Sequence, residues 1–138
     1  HILHRYPMTL GVDSFAEELR KLCIRYTSTD TGTQIGRCMH YSIPSRLKNA
    51  LMVAIGATTE RFSSPLTLHP RTEAFWSEHP GDRIWGSGGN TYDTRWEGAS
   101  IAVPPFEVHA ATRTVDWAIR SARATDAPTL TLIVVPTY

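Results

Sequence analysis

The chain has 138 residues, 41% of them apolar and 20% charged, with a formal net charge of +1; it can enclose one hydrophobic core and is too short for two ordinary domains. That balance excludes a wholly disordered or fibrous chain. The charge leaves no strong footprint for nucleic acid, although a local basic strip can still track phosphates, and the longest apolar stretch, around Leu51 to Ile55, falls far short of the roughly 20 residues of a membrane span.

The first predicted element starts at Asp13-Ser14, where Ser14 and Glu17 have capping-box spacing, and runs as a helix to about Tyr26. Phe15, Leu19, Leu22 and Tyr26 form its buried stripe. Residues 27 to 36, rich in Ser, Thr, Asp and Gly, read as an exposed loop. A second helix is expected from Pro44 to Ile55, with Ser42 near its start, Leu47, Leu51 and Ile55 facing inward, and Gly56 closing it. A short strand over Glu60 to Ser63 is ended by Pro65. From His69 to Gly98 no period is visible; one helical turn near Thr72 to Glu78 is expected inside a long segment of the kind that often carries function.

The last part is the most regular. Ser100 to Val103 reads as a strand that Pro104-Pro105-Phe106 forces out of the sheet. A helix follows over His109 to Ala124, with Ala111, Val115, Ala118 and Ala122 on its inner side. Thr129 to Val135, β-branched and uncharged, has the composition of a strand buried on both faces. A strand, helix and strand in that order imply a parallel pair with a right-handed crossover. Ligands of open α/β sheets bind at the carboxyl ends of strands, so Val103 to Glu107 and Pro136 to Tyr138 are expected side by side at one site.

A Pro-Pro-aromatic turn in that place has a specific use. In methyltransferases acting on exocyclic amines, the residue before the prolines and a prolyl carbonyl accept hydrogen bonds from the amine while the ring stacks on the base, which is positioning rather than covalent catalysis. Alone the tripeptide is weak evidence, because most such turns merely stop a strand.

Four blocks make the comparison specific: Phe62-Ser63-Ser64-Pro65-Leu66, Trp85-Gly86-Ser87-Gly88-Gly89, Pro104-Pro105-Phe106 and the run from Leu132 to Tyr138. In order and spacing they resemble the phosphorylated-CTD-interacting-factor family of cap-specific adenosine methyltransferases. The resemblance covers about residues 45 to 138, and the family's WW module has no counterpart in it. It implies a methyltransferase-like (Rossmann-like) α/β fold, a largely parallel sheet with flanking helices, over 42–138, preceded by a helical segment over 1–41. It implies methyl transfer from S-adenosylmethionine to the N6 amino group of the cap-adjacent adenosine of mRNA, in the nucleus. The turn Val103, Pro104, Pro105 and Phe106 would be the catalytic element, with Ser64, Pro65, Leu66, Gly86 and Gly88 at the cofactor and Phe106, Val108 and Tyr138 at the substrate. The implied partners are capped mRNA or another RNA, a larger protein assembly, and the RNA polymerase II C-terminal domain through regions outside this chain.

Two departures bear on activity. Val103 stands where the family has an Asn, so its side chain can neither donate nor accept a hydrogen bond. Val108 stands where the family has an acidic residue, with Glu107 one position earlier, about 100 degrees around a helix. Both point toward the alternative of a catalytically inactive relative that binds RNA or serves as an assembly scaffold. A plain structural subunit is the third reading.

The remaining features read more simply. Gly86-Ser87-Gly88-Gly89 is either a ligand loop or a flexible turn, and it is not a dinucleotide fingerprint. Cys23, Cys38, His40, His69 and His79 lack metal-ligand spacing, and they read as buried thiols and surface imidazoles. The two cysteines supply no disulfide framework and no secretory signal is visible, which suggests a reducing compartment. The chain begins at His1 and stops at Tyr138 just after an apolar strand, as a fragment would. Arg20, Lys21 and Arg25 on one helix, and Arg113, Arg120 and Arg123 on another, read as solvated faces that could also meet phosphates.

Overall fold

The β-branched run near the end of the chain forms the expected strand beside Gly98–Ala102, and the two are parallel, in register from Gly98 opposite Thr129 to Ala102 opposite Ile133. The computed structural model describes residues 11–28 and 43–135, so residues 29–36 of the expected loop, Ser42, Cys38, His40 and Pro136 to Tyr138 lie outside the described residues. The helices are α1 (Val12–Ser28), α2 (Ser45–Ile55) and α3 (Val108–Arg123), and the strands are β1 (Thr59–Glu60), β2 (Ala74–Phe75), β3 (Gly98–Ala102) and β4 (Thr129–Ile133). Two 3-10 turns, Pro80–Trp85 and Thr91–Asp93, lie between β2 and β3. The four strands form one sheet in the order β2-β1-β3-β4, and every pair in it is parallel. The protein is therefore α/β with an all-parallel sheet.

The core lies between α2 and the middle of the sheet. Met52 and Ile101 are fully buried with Ile43 beside them, and Leu51, Val103, Leu132 and Val134 pack around the three. Each such side chain contributes about 1.5 to 3 kcal/mol by leaving water. Alternation along β3 turns Ser100 and Ala102, both fully buried, to the other face. A second cluster is aromatic: Phe62, Tyr92 and Trp96 meet at 5.7 to 6.5 Å, and Trp117 of α3 meets Tyr92 edge-on at 6.0 Å. Their polar edges are satisfied, since the Trp96 Nε1 donates to the Thr91 carbonyl at 2.9 Å and the Trp117 Nε1 to the Thr94 carbonyl at 3.0 Å. Aromatic burial thus organises the segment in which no period was visible.

Several expectations need correction. Helix α1 begins before Ser14, with the Phe15 amide bonded to the Gly11 carbonyl at 3.0 Å. Ser14 is therefore inside the helix, and Glu17 accepts twice from Arg20 at 3.0 Å instead of reaching back to a cap. The stripe of Phe15, Leu19, Leu22 and Tyr26 does face inward. In α2 Lys48 and Met52 are buried and Leu51 packs on the core as expected, while Leu47 is 47% exposed; Lys48 takes the inward place because it has a buried partner on β1. Gly56 closes α2 with φ 66°, as its place after Ile55 suggested.

Strand β1 lies one residue earlier than expected and is only two residues long. The expected helical turn over Thr72 to Glu78 is instead strand β2, with helical geometry appearing later, at Pro80–Trp85. On α3, Thr114 and Ser121 are the buried residues, whereas Val115 is 43% exposed and Ala122 is exposed. Tyr92 explains the inversion at Thr114, because its hydroxyl lies 3.0 Å from the Thr114 Oγ1. Strand β4 is not buried on both faces: it forms the edge of the sheet and Leu130 is exposed. Cys23 is exposed and His69 buried, the reverse of the expectation for both residue types.

Candidate functional site

Because the strands are parallel, their carboxyl ends lie on one side of the sheet, and a cavity of about 560 Å³ opens there, within the range of small-molecule sites. The exit of β1 supplies Arg61, Phe62, Ser63 and Ser64; the exit of β2 supplies Trp76, Ser77 and Glu78; the exit of β3 supplies Val103, Pro105 and Glu107. Asn90, Thr91 and Tyr92 come from the second 3-10 turn, His109, Ala110 and Arg113 from the first turns of α3, Lys48 from α2 and Tyr26 from α1. Phe62, Trp76 and Tyr92 supply aromatic surface, and the hydroxyls of Ser63 and Thr91 are buried without partners among the described residues.

The Pro-Pro turn is built as its sequence dictates. Pro104 is fully buried, Pro105 and Phe106 are half-buried, and the Glu107 amide closes back on the Pro105 carbonyl at 2.7 Å. Helix α3 then starts at Val108 with its amino end beside the cavity. Val103 borders the cavity and also packs against the Ile43, Met52 and Ile101 core. Phe106 and Val108 are not among the cavity's lining residues, and Val108 is 62% exposed; Glu107 does line it. Tyr138 lies outside the described residues.

Of the cofactor candidates, Ser64 lines the cavity, Pro65 is buried and Leu66 is 45% exposed. The Ser64 hydroxyl is held in a local turn, 2.9 Å from the Thr67 hydroxyl. Gly86 and Gly88 do not line the cavity but build its wall. Gly86 ends the Pro80–Trp85 turn at φ 89°, a conformation that favours glycine. A Cβ on Gly88 would come within 2.6 Å of the Trp76 Nε1, so only glycine leaves room for that indole. Between them the Ser87 Oγ accepts from the Ser77 hydroxyl at 2.7 Å and from the amides of Ser77 and Gly89 at 3.1 and 3.0 Å, which pins the exit of β2.

Two buried charges stand on the carboxyl side of β1. The Glu60 carboxylate accepts from the Lys48 Nζ at 2.8 Å, from the His69 amide at 2.9 Å and from the Thr72 hydroxyl. Burial pushes this carboxyl upward, but the Lys48 charge and the hydrogen bonds outweigh burial and hold it below the usual carboxylate range. Arg61 has no such partner: among the described residues it forms no ion pair. Its Nη2 donates to the Glu97 carbonyl at 3.0 Å and its guanidinium lies 4.6 and 5.4 Å from the rings of Trp76 and Trp96. Cation–π contacts contribute about 0.5 to 2 kcal/mol, less than the several kcal/mol that burying a charge costs. Burial accordingly pushes the guanidinium down to about 10, against the opposing charge of Glu97.

The basic strips divide in a way their spacing did not show. Arg20, Lys21 and Arg25 are all paired, with Glu17, Glu18 and the fully buried Asp82. On α3, Arg120 pairs with Asp116, whereas Arg113 covers the Tyr92 ring at 3.9 Å and reaches the cavity. Arg61, Trp76 and Tyr92 were missed as site residues, and Arg113 was named only as part of a basic strip. The available signal was positional: Arg61 directly precedes the Phe62-to-Leu66 block, and Trp76 directly follows a strand too short to be recognised. Tyr26 carried no such signal, because its helix is remote in sequence. Among the described residues no group of His, Cys, Asp or Glu is placed to hold a metal ion, and no helix is long and apolar enough to cross a membrane.

An all-parallel sheet with an aromatic, partly cationic cavity at the carboxyl ends of its strands defines the class, an α/β protein with a small-molecule or nucleotide-sized cleft. The chain belongs to the phosphorylated CTD interacting factor 1 WW domain family, whose profile matches residues 5–138. That description carries the WW name, against the expectation that a WW module has no counterpart here; what the described residues of the matched region build is the parallel α/β arrangement. Comparison with curated proteins finds no match.

Proposed function

We propose that the chain is a methyltransferase-like (Rossmann-like) domain whose cleft binds S-adenosylmethionine and the cap-adjacent adenosine of mRNA. The carrying observation is that the cleft joins the Phe62-to-Ser64 block to Val103 and Pro105 at the ends of adjacent parallel strands. The residues present suit the donor: Phe62 for a flat base, the unpartnered hydroxyls of Ser63 and Thr91 for a ribose, and Arg61, which forms no ion pair among the described residues, for a carboxylate. Bound there, the donor would supply an electrophilic methyl group. The chain's own part is to hold the base against an aromatic wall and to keep water from the amine, with Val103 and Pro105 of the turn bordering the place where the amine would sit. The family's description supports a phosphorylated C-terminal domain as a partner, which we take to be that of RNA polymerase II, with the nucleus as the proposed compartment.

Val103 favours a second reading, a binding or scaffold protein without transfer, because its side chain packs into the core and offers the amine nothing. Calorimetry with S-adenosylmethionine, followed by labelled methyl transfer to capped RNA beginning with adenosine, separates the two. Donor binding with transfer supports the enzyme; RNA binding without donor binding supports the scaffold; binding of neither overturns both.

A further inference from the structure

We propose that Arg61 is the receptor for the anionic end of the cleft's ligand, a carboxylate or phosphate carried on a nucleoside. The proposal rests on the reading of the cleft as a nucleoside site and names the group that would select among nucleosides. Arg61 is 3% exposed and borders the cleft. Its Nε is buried and has no partner, its Nη1 makes no hydrogen bond among the described residues, and only Nη2 is engaged, on a backbone carbonyl. Trp76 and Trp96 flank the guanidinium at 4.6 and 5.4 Å, which leaves Nε and Nη1 as charged donors of the kind that carboxylate and phosphate oxygens accept from.

The other cations of the wall are committed elsewhere, Lys48 to Glu60 at 2.8 Å and Arg113, exposed, to the face of Tyr92 at 3.9 Å. The amino end of α3, a 16-residue helix, borders the same cleft and adds a partial positive charge of the same sign. An anion seated there would supply the direct ion pair that Arg61 does not form among the described residues.

The test is calorimetry with two ligand pairs that differ only in the anion: S-adenosylhomocysteine against 5′-methylthioadenosine for a carboxylate, and AMP against adenosine for a phosphate. Wild-type protein is expected to prefer the anionic member of one pair by about tenfold or more, the range of a charge-assisted hydrogen bond, and the pair that responds identifies the anion. In Arg61→Gln the preference should vanish while the neutral ligand binds as before; Arg61→Lys, which keeps the charge without the guanidinium, should retain part of it. No preference in wild type, or an undiminished preference in Arg61→Gln, overturns the proposal. If no nucleoside binds at all, the reading of the cleft fails, and pyrophosphate then decides Arg61 alone. A rise in melting temperature in wild type that is absent in Arg61→Gln upholds an anion site, and no rise overturns it.

Discussion

At the scale of single residues, position 103 governs what the cleft can do. Val103→Asn would restore an amide beside the Pro-Pro turn, and if donor and base are otherwise held, transfer to capped RNA should rise by about 100- to 1000-fold. The same change sets a polar group against Ile43, Met52 and Ile101, so the melting temperature should fall, and circular dichroism should be recorded beside the radiolabel assay. Equal, null transfer in both proteins would favour the binding-only reading. Lys48 and Glu60 give a second prediction. Removing one member of a buried, hydrogen-bonded pair costs about 3 to 5 kcal/mol, so Lys48→Met should lower unfolding stability by that order in urea titrations at neutral pH. The Glu60 carboxyl is held below its ordinary range in the folded protein. Its contribution is therefore complete above the unfolded value, about 4.3, and is lost as the pH falls through the folded value. Unfolding midpoints measured from pH 6 down to pH 3 should drop more steeply for wild type than for Glu60→Gln.

At the scale of elements, the Gly86-to-Gly89 stretch acts through Trp76. Gly88→Ala would put a Cβ 2.6 Å from the Trp76 Nε1 and so force the indole to shift, and Trp76 covers Arg61. Ligand affinity should fall by about tenfold, the effect of losing roughly one cation–π contact, while the far-ultraviolet spectrum stays unchanged; intact affinity would show that the wall adapts.

What could be read in advance follows the same elements. Strand, Pro-Pro turn, helix and strand were legible because proline cannot continue a ladder and because Thr129 to Ile133 is uncharged and β-branched. The inner faces of α2 and α3 were legible only in part, since Leu51 packs on the core but Leu47 and Val115 are exposed. In α2 a lysine takes an inward position for the sake of Glu60, and in α3 Thr114 does so beside Tyr92, and neither choice leaves a trace in hydrophobic periodicity. Strand β2 was invisible for a different reason, since two residues cannot show a period. The cleft was half legible: the segments leaving β1 and β3 were named, but Trp76, Tyr92 and Tyr26 come from the exit of β2, the second 3-10 turn and α1, whose placement is set by tertiary contacts.

At the scale of the whole molecule, the short strands β1 and β2 place the cleft where few backbone bonds hold the sheet together, and packing from α2, the aromatic cluster and the buried charges must supply the rest. A ligand that bridges the exits of β1, β2 and β3 should therefore stabilise the fold as a unit. At a hundred times its dissociation constant it should contribute about 2.7 kcal/mol, visible as a concentration-dependent rise in melting temperature.

Helix α1 joins this unit through Phe15 against Trp85 and through the buried carboxylate of Asp82. Asp82 accepts from the Arg25 Nη2 at 2.8 Å and from the Tyr26 hydroxyl at 2.5 Å, and the Tyr26 ring meets His79 edge-on. Tyr26 also lines the cleft, so the seat of the helix and the occupancy of the cleft share one side chain. Linkage makes such sharing reciprocal: whatever factor the ligand gains from a seated helix, the helix gains from the ligand. Protection of the α1 amides against hydrogen exchange would then serve as a gauge of cleft filling, read 56 residues away in the chain from Asp82, and Asp82→Asn would weaken the gauge.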